Sequence, residues 1–464
     1  MQRVEEPSPQ VVLGQIGRME AYREGRFRRA RRQAVTIGRA VHAGRARVRA
    51  TPADVTVDGE ALKDLVAEAA AEARLVEVPV NRRPWTPTGI RVARGEAVTW
   101  LAWGRADLIR PLGVGAGPSL GLLGRVQGGP PQMSARETFT FTADRDGPIE
   151  FGGRFPGELQ EDGSIAVDRV PYRVMRGRFT AVVARWGREA DPRAALQTLA
   201  ARDPSGLCAV EAARMADPPQ PPQGWDHHPL LGREDVYRSS SNGIATDCTH
   251  TNAIIRRAAE AALTPTLRLR WSWRVDELPS RLPEDTPLTH DYLSVALEFD
   301  DGRDLTWQWS CALPEGLAYR CPLEHWRRRE THIVVRSGIG DVGRWVEEER
   351  PVLADQKAAI GGPVPARVVR SWLLSGSLFQ GGTGALSSAA WSSSTETGSS
   401  AFCDHPGATV AGVGLTPAGV VVTLRRRGVG WRPTRARGAR PQDCRWRSKN
   451  ATIRWRASLA DGSW

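Results

Sequence analysis

Strict alternation of apolar and polar side chains is the strongest constraint on this chain. In residues 266–275 (TLRLRWSWRV), Leu267, Leu269, Trp271, Trp273 and Val275 fall on one side and Arg268, Arg270, Ser272 and Arg274 on the other. A period of two belongs to a half-buried strand and does not suit a helix, whose faces recur every ~3.6 residues. Residues 292–310 repeat the pattern as a hairpin. Leu293, Val295, Leu297 and Phe299 face Leu305, Trp307 and Trp309 across the turn Asp300-Asp301-Gly302-Arg303. Further strands are expected at 331–336 and 366–375, and a helix around 347–360 that ends at Gly361-Gly362-Pro363.

The texture upstream is similar. Residues 76–186 alternate between Gly- and Pro-rich turns, as in Val98-Thr99-Trp100-Leu101-Ala102 and Thr138-Phe139-Thr140-Phe141. Residues 58–73 carry Leu62, Leu65, Val66, Ala69 and Ala73 on one helical face. Asp191-Pro192 opens a helix with a capping residue and a first-turn proline, and a second helical piece runs to about Met215. Pro218-Pro219-Gln220-Pro221-Pro222 is a stiff extended linker.

A length of 464 residues predicts two cores rather than one. The expected fold is therefore mainly β, with two antiparallel, jelly-roll-like β-sandwich domains, a short helical leader and a helical, proline-rich linker. The boundaries read as a basic leader over 1–75, a sandwich over 76–186, a linker over 187–224, a second sandwich over 225–390 and a basic tail over 391–464.

Charge must be located before it is interpreted. Of the net +12, residues 1–49 carry +8 and residues 425–464 carry +10, so residues 50–424 carry −6. The Arg run from Arg23 to Arg32 is broken by Glu24 and followed by no aromatic platform, so it reads as a solvated leader and no nucleic-acid partner is expected. The uncharged stretch Gly407–Leu424 is diluted by Gly, Thr and Pro, and no membrane span is expected. Six scattered cysteines without a CxxC pair exclude a disulfide scaffold, although Cys311 and Cys321 would bridge a loop in an exported protein. With Glu and Arg where a signal peptide needs an apolar run, the sequence as written reads as cytoplasmic.

Several separated segments carry a resemblance. LRWSWRVDELPS (269–280), THDYLSVALEFDDGRDLTWQWS (289–310), the stretch from HIVVRSG through GRWVEEE to Asp355, and ARVVRSWLLSGSLFQGG (366–382) resemble the bacterial family known as domain of unknown function 3047. The resemblance covers about 225–390 and implies an all-β sandwich without supplying a catalytic residue. It also implies a closing strand after SLFQ. The chain continues instead as SSAAWSSSTETGSSAF (387–402), so residues from about 385 read as an atypical, frame-shifted end. More weakly, WTPTGIRVARGEAVTWLAWGR (85–105) resembles galactophilic lectins and galactose-binding-like sandwiches. Arg154 and Phe155 stand where that resemblance needs an Asn-Asp pair, so no calcium site is carried over.

The sharpest catalytic candidates are Glu298 and Asp300, on the polar face of one strand at the spacing of a paired acid and nucleophile. The competing reading is a charged hairpin turn. Arg268, Arg270 and Arg274 beside Gln308 and Arg336, with Trp103 as an unassigned aromatic, are the candidate ligand-binding set, suited to a glycan if they line an open face. The alternative is a solvated face with weak ion pairs. His227, His228, Asp247, Cys248, His250, His290 and Asp291 are possible ligands, but their spacing assigns no metal. There is no Walker loop, dinucleotide GxGxxG, GxSxG or HExxH, so no cofactor is expected. A non-catalytic carbohydrate-binding or cell-surface interaction protein is the first functional expectation. A jelly-roll glycoside hydrolase or polysaccharide lyase is the second, and a structural module the third. Oligomeric state is not legible.

Overall fold

A computed structural model describes residues 24–50, 57–153 and 175–388, apart from short stretches within them, together with Tyr172 and residues 392–394. The basic tail and the stretch 407–424 lie outside the described residues. The fold is mainly β, as expected.

Among the described residues, the N-terminal half holds nine strands: β1 (Glu72–Pro79), β2 (Thr86–Val92), β3 (Ala97–Ile109), β4 (Val114–Ala116), β5 (Leu122–Val126), β6 (Gln132–Met133), β7 (Thr138–Thr142), β8 (Gly147–Gly153) and β9 (Arg176–Arg185). One sheet runs β1-β9-β3-β4 with β7 also on β3, and the other runs β2-β8-β5-β6. Their facing sides bury Val98, Trp100, Leu122, Ile149, Phe151 and Phe179. Trp100 meets Phe151 edge-on at 5.4 Å, and a Cβ on Gly124 would stand 2.8 Å from both rings. Only glycine fits there.

Downstream of the leader helix α1 (Arg26–Ala50), the back of the first sheet is covered by α2 (Gly59–Ala67), α3 (Pro192–Leu199) and α4 (Leu207–Ala216). Leu62, Leu65, Val66, Leu196 and Leu199 pack there against Leu101 and Trp186. Asp58 and Asp191 cap α2 and α3 through Ala61 N–H and Ala194 N–H. The helix expected over 58–73 ends at Ala67, because Glu72–Pro79 pairs with β9 along its full length. Tertiary pairing overrides the local helical period.

The C-terminal half holds β10 (Asp226–Gly232), β11 (Tyr237–Ser240), β12 (Gly243–Thr249), β13 (Asn252–Ala262), β14 (Arg268–Glu277), β15 (Leu293–Phe299), β16 (Asp304–Ser310), β17 (Ala318–Arg320), β18 (Glu330–Ser337), β19 (Val346–Pro351), β20 (Arg367–Gly376), β21 (Thr383–Ser388) and β22 (Ser392–Ser394). A seven-stranded sheet runs β10-β13-β20-β15-β16-β18-β17, and a six-stranded sheet runs β11-β12-β21-β14-β19 with β22 on β14. The hairpin register is as expected, with Leu293 opposite Trp309, Val295 opposite Trp307 and Leu297 opposite Leu305. Gly302 turns the chain at φ +78°. Trp271, Trp273, Trp307 and Trp309 interlock between the sheets.

Three expectations need correction. Residues 346–351 form β19 on β14, and the helix starts only at Val352. The strand after SLFQ is present as β21, paired with β12 and β14, so the chain follows the family pattern up to Ser388. Its serines escape the apolar signature of a strand. The leader is not simply solvated either: Arg32 forms a two-pronged pair with Asp285 at 2.6 and 2.9 Å, and Thr36 and Ala40 are buried on the same helix face.

Candidate functional site on the outer face of the seven-stranded sheet

Alternation sends Ser294, Ala296 and Glu298 of β15 and Asp304, Thr306, Gln308 and Ser310 of β16 away from the sandwich core. Such a face ordinarily meets water. Here every residue of both strands is buried, and Glu284 from the connector before β15 reaches Ser310 while Arg329 reaches Glu298 and Asp304.

Strand register builds this face in rows. Arg370, Glu298, Asp304 and Glu330 stand opposite one another on β20, β15, β16 and β18. The next row contains Trp372, Ala296, Thr306, His332 and Tyr319. Three carboxyl groups on neighbouring strands repel unless they are compensated.

At one end, compensation comes from cations. Glu298 accepts from Arg370 Nη1 at 3.1 and 3.2 Å and from Trp372 Nε1 at 3.1 Å, and Arg329 Nη2 lies 3.2 Å from it. Arg329 also lies 3.4 Å from Asp304 and stacks on Trp326 and Trp372 at 5.4 and 4.6 Å. His228 joins the two indoles, 6.3 Å from Trp326 and 5.0 Å from Trp372. Trp326, His228, Arg329 and Arg370 are partly open to solvent. Asp304 is held well above the usual carboxylate range, by burial first and then by the charge of Glu330.

The other end is fully enclosed. His290, Cys321, Glu330 and His332 bring their ligand atoms within 4.8 Å of one another. Tyr292 Oη donates to Glu330 Oε1 at 2.8 Å, and the Tyr319 ring stacks on His332 at 4.9 Å. Burial, followed by the charge of His332, pushes His290 down to about 3. Burial alone would raise Glu330, but the charge of His332, whose Nε2 stands 3.3 Å from Oε1, outweighs burial and holds the carboxyl below its ordinary range. Burial and the charge of Glu330 both push the Cys321 thiol up. Beside this group, Glu284 accepts from Ser280 Oγ, Ser310 Oγ and Cys311 N–H at 2.6, 2.5 and 2.7 Å.

The residues singled out from sequence are not gathered in one place. Asp300 lies in the hairpin turn, where its carboxylate takes the Ala366 N–H at 3.1 Å. Its neighbour along the strand, Glu298, instead faces Asp304. Arg268 and Arg270 lie on the six-stranded sheet near Glu349, at 3.9 and 2.8 Å, and Arg274 pairs with Asp276 at 2.7 Å. Gln308 is fully buried and accepts from Tyr319 Oη at 2.9 Å. Arg336 ties the two sheets together through Glu348 at 2.7 Å. Trp103 belongs to the first sandwich and packs beneath α2. An open face shared by these residues is corrected by topology, since β14 and β15 belong to different sheets whose outer sides point apart.

Of the possible metal ligands, only His290 joins the enclosed group. Cys248 points toward the core and its thiol donates to Gly384 O at 3.4 Å, while Asp291 accepts from Phe379 N–H and Gln380 N–H. The four described cysteines, including Cys311 and Cys321, are free thiols. Among the described residues, no helix is long and apolar enough to cross a membrane.

Residues 223–388 match the model of the family described as "Protein of unknown function (DUF3047)", which bears out the resemblance read there. No curated protein matches the chain. Among solved structures it is similar to "EclA N-terminal domain; PllA-like lectin", with 17% identity over 24% of this chain and 94% of that one, at a TM-score of 0.18. It is also similar to endoglucanase 3 of Trichoderma harzianum, from family GH12, with 12% identity over 34% of this chain and 82% of that one, at a TM-score of 0.23. The CBM22-1-CBM22-2 tandem domain of Paenibacillus barcinonensis Xyn10C gives 8% identity over 70% and 92% of the two chains, at a TM-score of 0.18. Scores this low carry no functional argument.

Proposed function

We propose that the chain is a non-catalytic carbohydrate-binding or cell-surface interaction protein, and that a glycan docks where Trp326, His228, Arg329 and Arg370 reach the surface around Glu298. The observation that carries this reading is the way Glu298 is held. Two guanidinium groups and an indole N–H surround its carboxylate, so it orients planar donors and aromatic rings rather than standing free as a base or nucleophile. Aromatic faces beside fixed planar donors suit a sugar ring, which offers apolar C–H faces and hydroxyl edges.

A glycan array probed with the full chain tests it. The expected result is binding that Trp326→Ala and Arg370→Ala each abolish in chains that still fold, as circular dichroism would show. Absence of any glycan ligand at millimolar concentration would sink the reading.

A second reading, a glycoside hydrolase or polysaccharide lyase, draws on one observation: Asp304 stands beside two other carboxyl groups, and burial and the charge of Glu330 hold it above the usual carboxylate range, as a general acid needs. Release of reducing ends from a polysaccharide panel, lost in Glu298→Gln, would favour it over binding alone.

A further inference from the structure

We infer that His290, Cys321, Glu330 and His332 bind one divalent transition-metal ion of the zinc class, independently of any glycan. Two imidazole nitrogens, one sulfur and one carboxylate oxygen make up a ligand set that zinc accepts in tetrahedral geometry. With bonds of about 2.1 Å to nitrogen or oxygen and about 2.3 Å to sulfur, neighbouring ligand atoms around such an ion stand about 3.3–3.7 Å apart. Cys321 Sγ and His290 Nε2 are 3.3 Å apart, as are His332 Nε2 and Glu330 Oε1. The widest spacing in the group, within 4.8 Å, needs to close by about 1 Å.

Two further observations point to an ion. His332 is fully buried, yet neither of its ring nitrogens makes a hydrogen bond of acceptable geometry. Buried polar atoms without partners are rare and call for an explanation. His290 Nδ1 lies 2.8 Å from the Glu284 carbonyl, which accepts its proton and leaves the Nε2 lone pair facing the group. That is the tautomer a metal requires. Tyr292 then orients the Glu330 carboxylate from outside.

Four protein ligands and complete burial leave no open position, so the ion is structural rather than catalytic. It joins the connector before β15 and the residue after β17 to strand β18 of the sheet.

The full chain, purified in reducing buffer without chelator, is expected to hold one equivalent of zinc, or to take up one after chelator treatment. Cobalt substitution is expected to give a thiolate-to-metal absorption band that Cys321→Ser removes. Tyr292→Phe should retain the ion with affinity weakened about 10- to 100-fold. Chelation should lower the melting temperature of the wild type. Folded wild type that takes up no zinc and melts identically with chelator overturns the inference. So does a cobalt spectrum without a thiolate band, or a Cys321→Ser chain that binds metal as tightly as wild type. If the variants do not fold, the wild-type cobalt spectrum and chelator melt still decide.

Discussion

On β15 and β16, the inward residues are Leu293, Val295, Leu297, Leu305, Trp307 and Trp309, and the outward ones include Ser294, Glu298, Asp304, Thr306 and Gln308. Both sets are buried. The inner face is held by apolar area removed from water, worth about 25 cal/mol per Å². The outer face gains little net free energy from its polar pairs, but each pair is expensive to break. Alternation therefore tells which side of a strand is dry without telling whether the other side is wet.

Substitutions can break or sharpen this contrast. The largest expected effect is on the inner face: Trp307→Ala should lower unfolding free energy by about 3–5 kcal/mol in denaturant titration, because it opens a cavity beside Trp271 and strips Asp355 of its indole donor. On the outer face, Glu284→Ala should cost about 2–3 kcal/mol by leaving buried donors from Ser280, Ser310 and Cys311 without an acceptor. An effect below ~0.5 kcal/mol would mean that water reaches the outer face after all.

Glu348 probes the seam between the sheets. Burial holds its carboxyl above the usual range despite Arg336, so the folded state binds this proton more tightly than the unfolded chain. Its contribution should then make stability fall as pH rises from its ordinary range through the folded pKa. Glu348→Gln should flatten that part of the profile, and an unchanged slope would refute the assignment. The smallest effect belongs to the open side of the other sheet. Arg270→Ala, which loses a largely exposed pair with Glu349, should change stability by less than about 0.5 kcal/mol.

The inner face was legible because hydrophobic period survives in any single sequence. Leu267 to Val275 and the 293–309 hairpin announce their own register. The outer face was not, because Glu298, Thr306 and Gln308 look the same whether a loop or solvent covers them. The enclosed four-residue group left one local trace, Glu330 and His332 two apart on one strand. His290 comes from a connector and Cys321 lies 31 residues further on, so no motif spacing relates them. β21 escaped for a related reason: a strand of Thr, Gly, Ala and Ser with a single Leu386 pairs through its backbone and shows no alternating pattern in its side chains.

The pair between Arg32 and Asp285 spans 253 residues, which gives it a place in time as well as in space. During synthesis the leader helix precedes its anchor, because the Asp285 carboxylate is made only after the first sandwich and β10 to β14 have been translated. The helix must therefore wait, its Thr36 and Ala40 face uncovered, until that stretch has been made. Its docking becomes a late, long-range step that reports whether the second sandwich has folded.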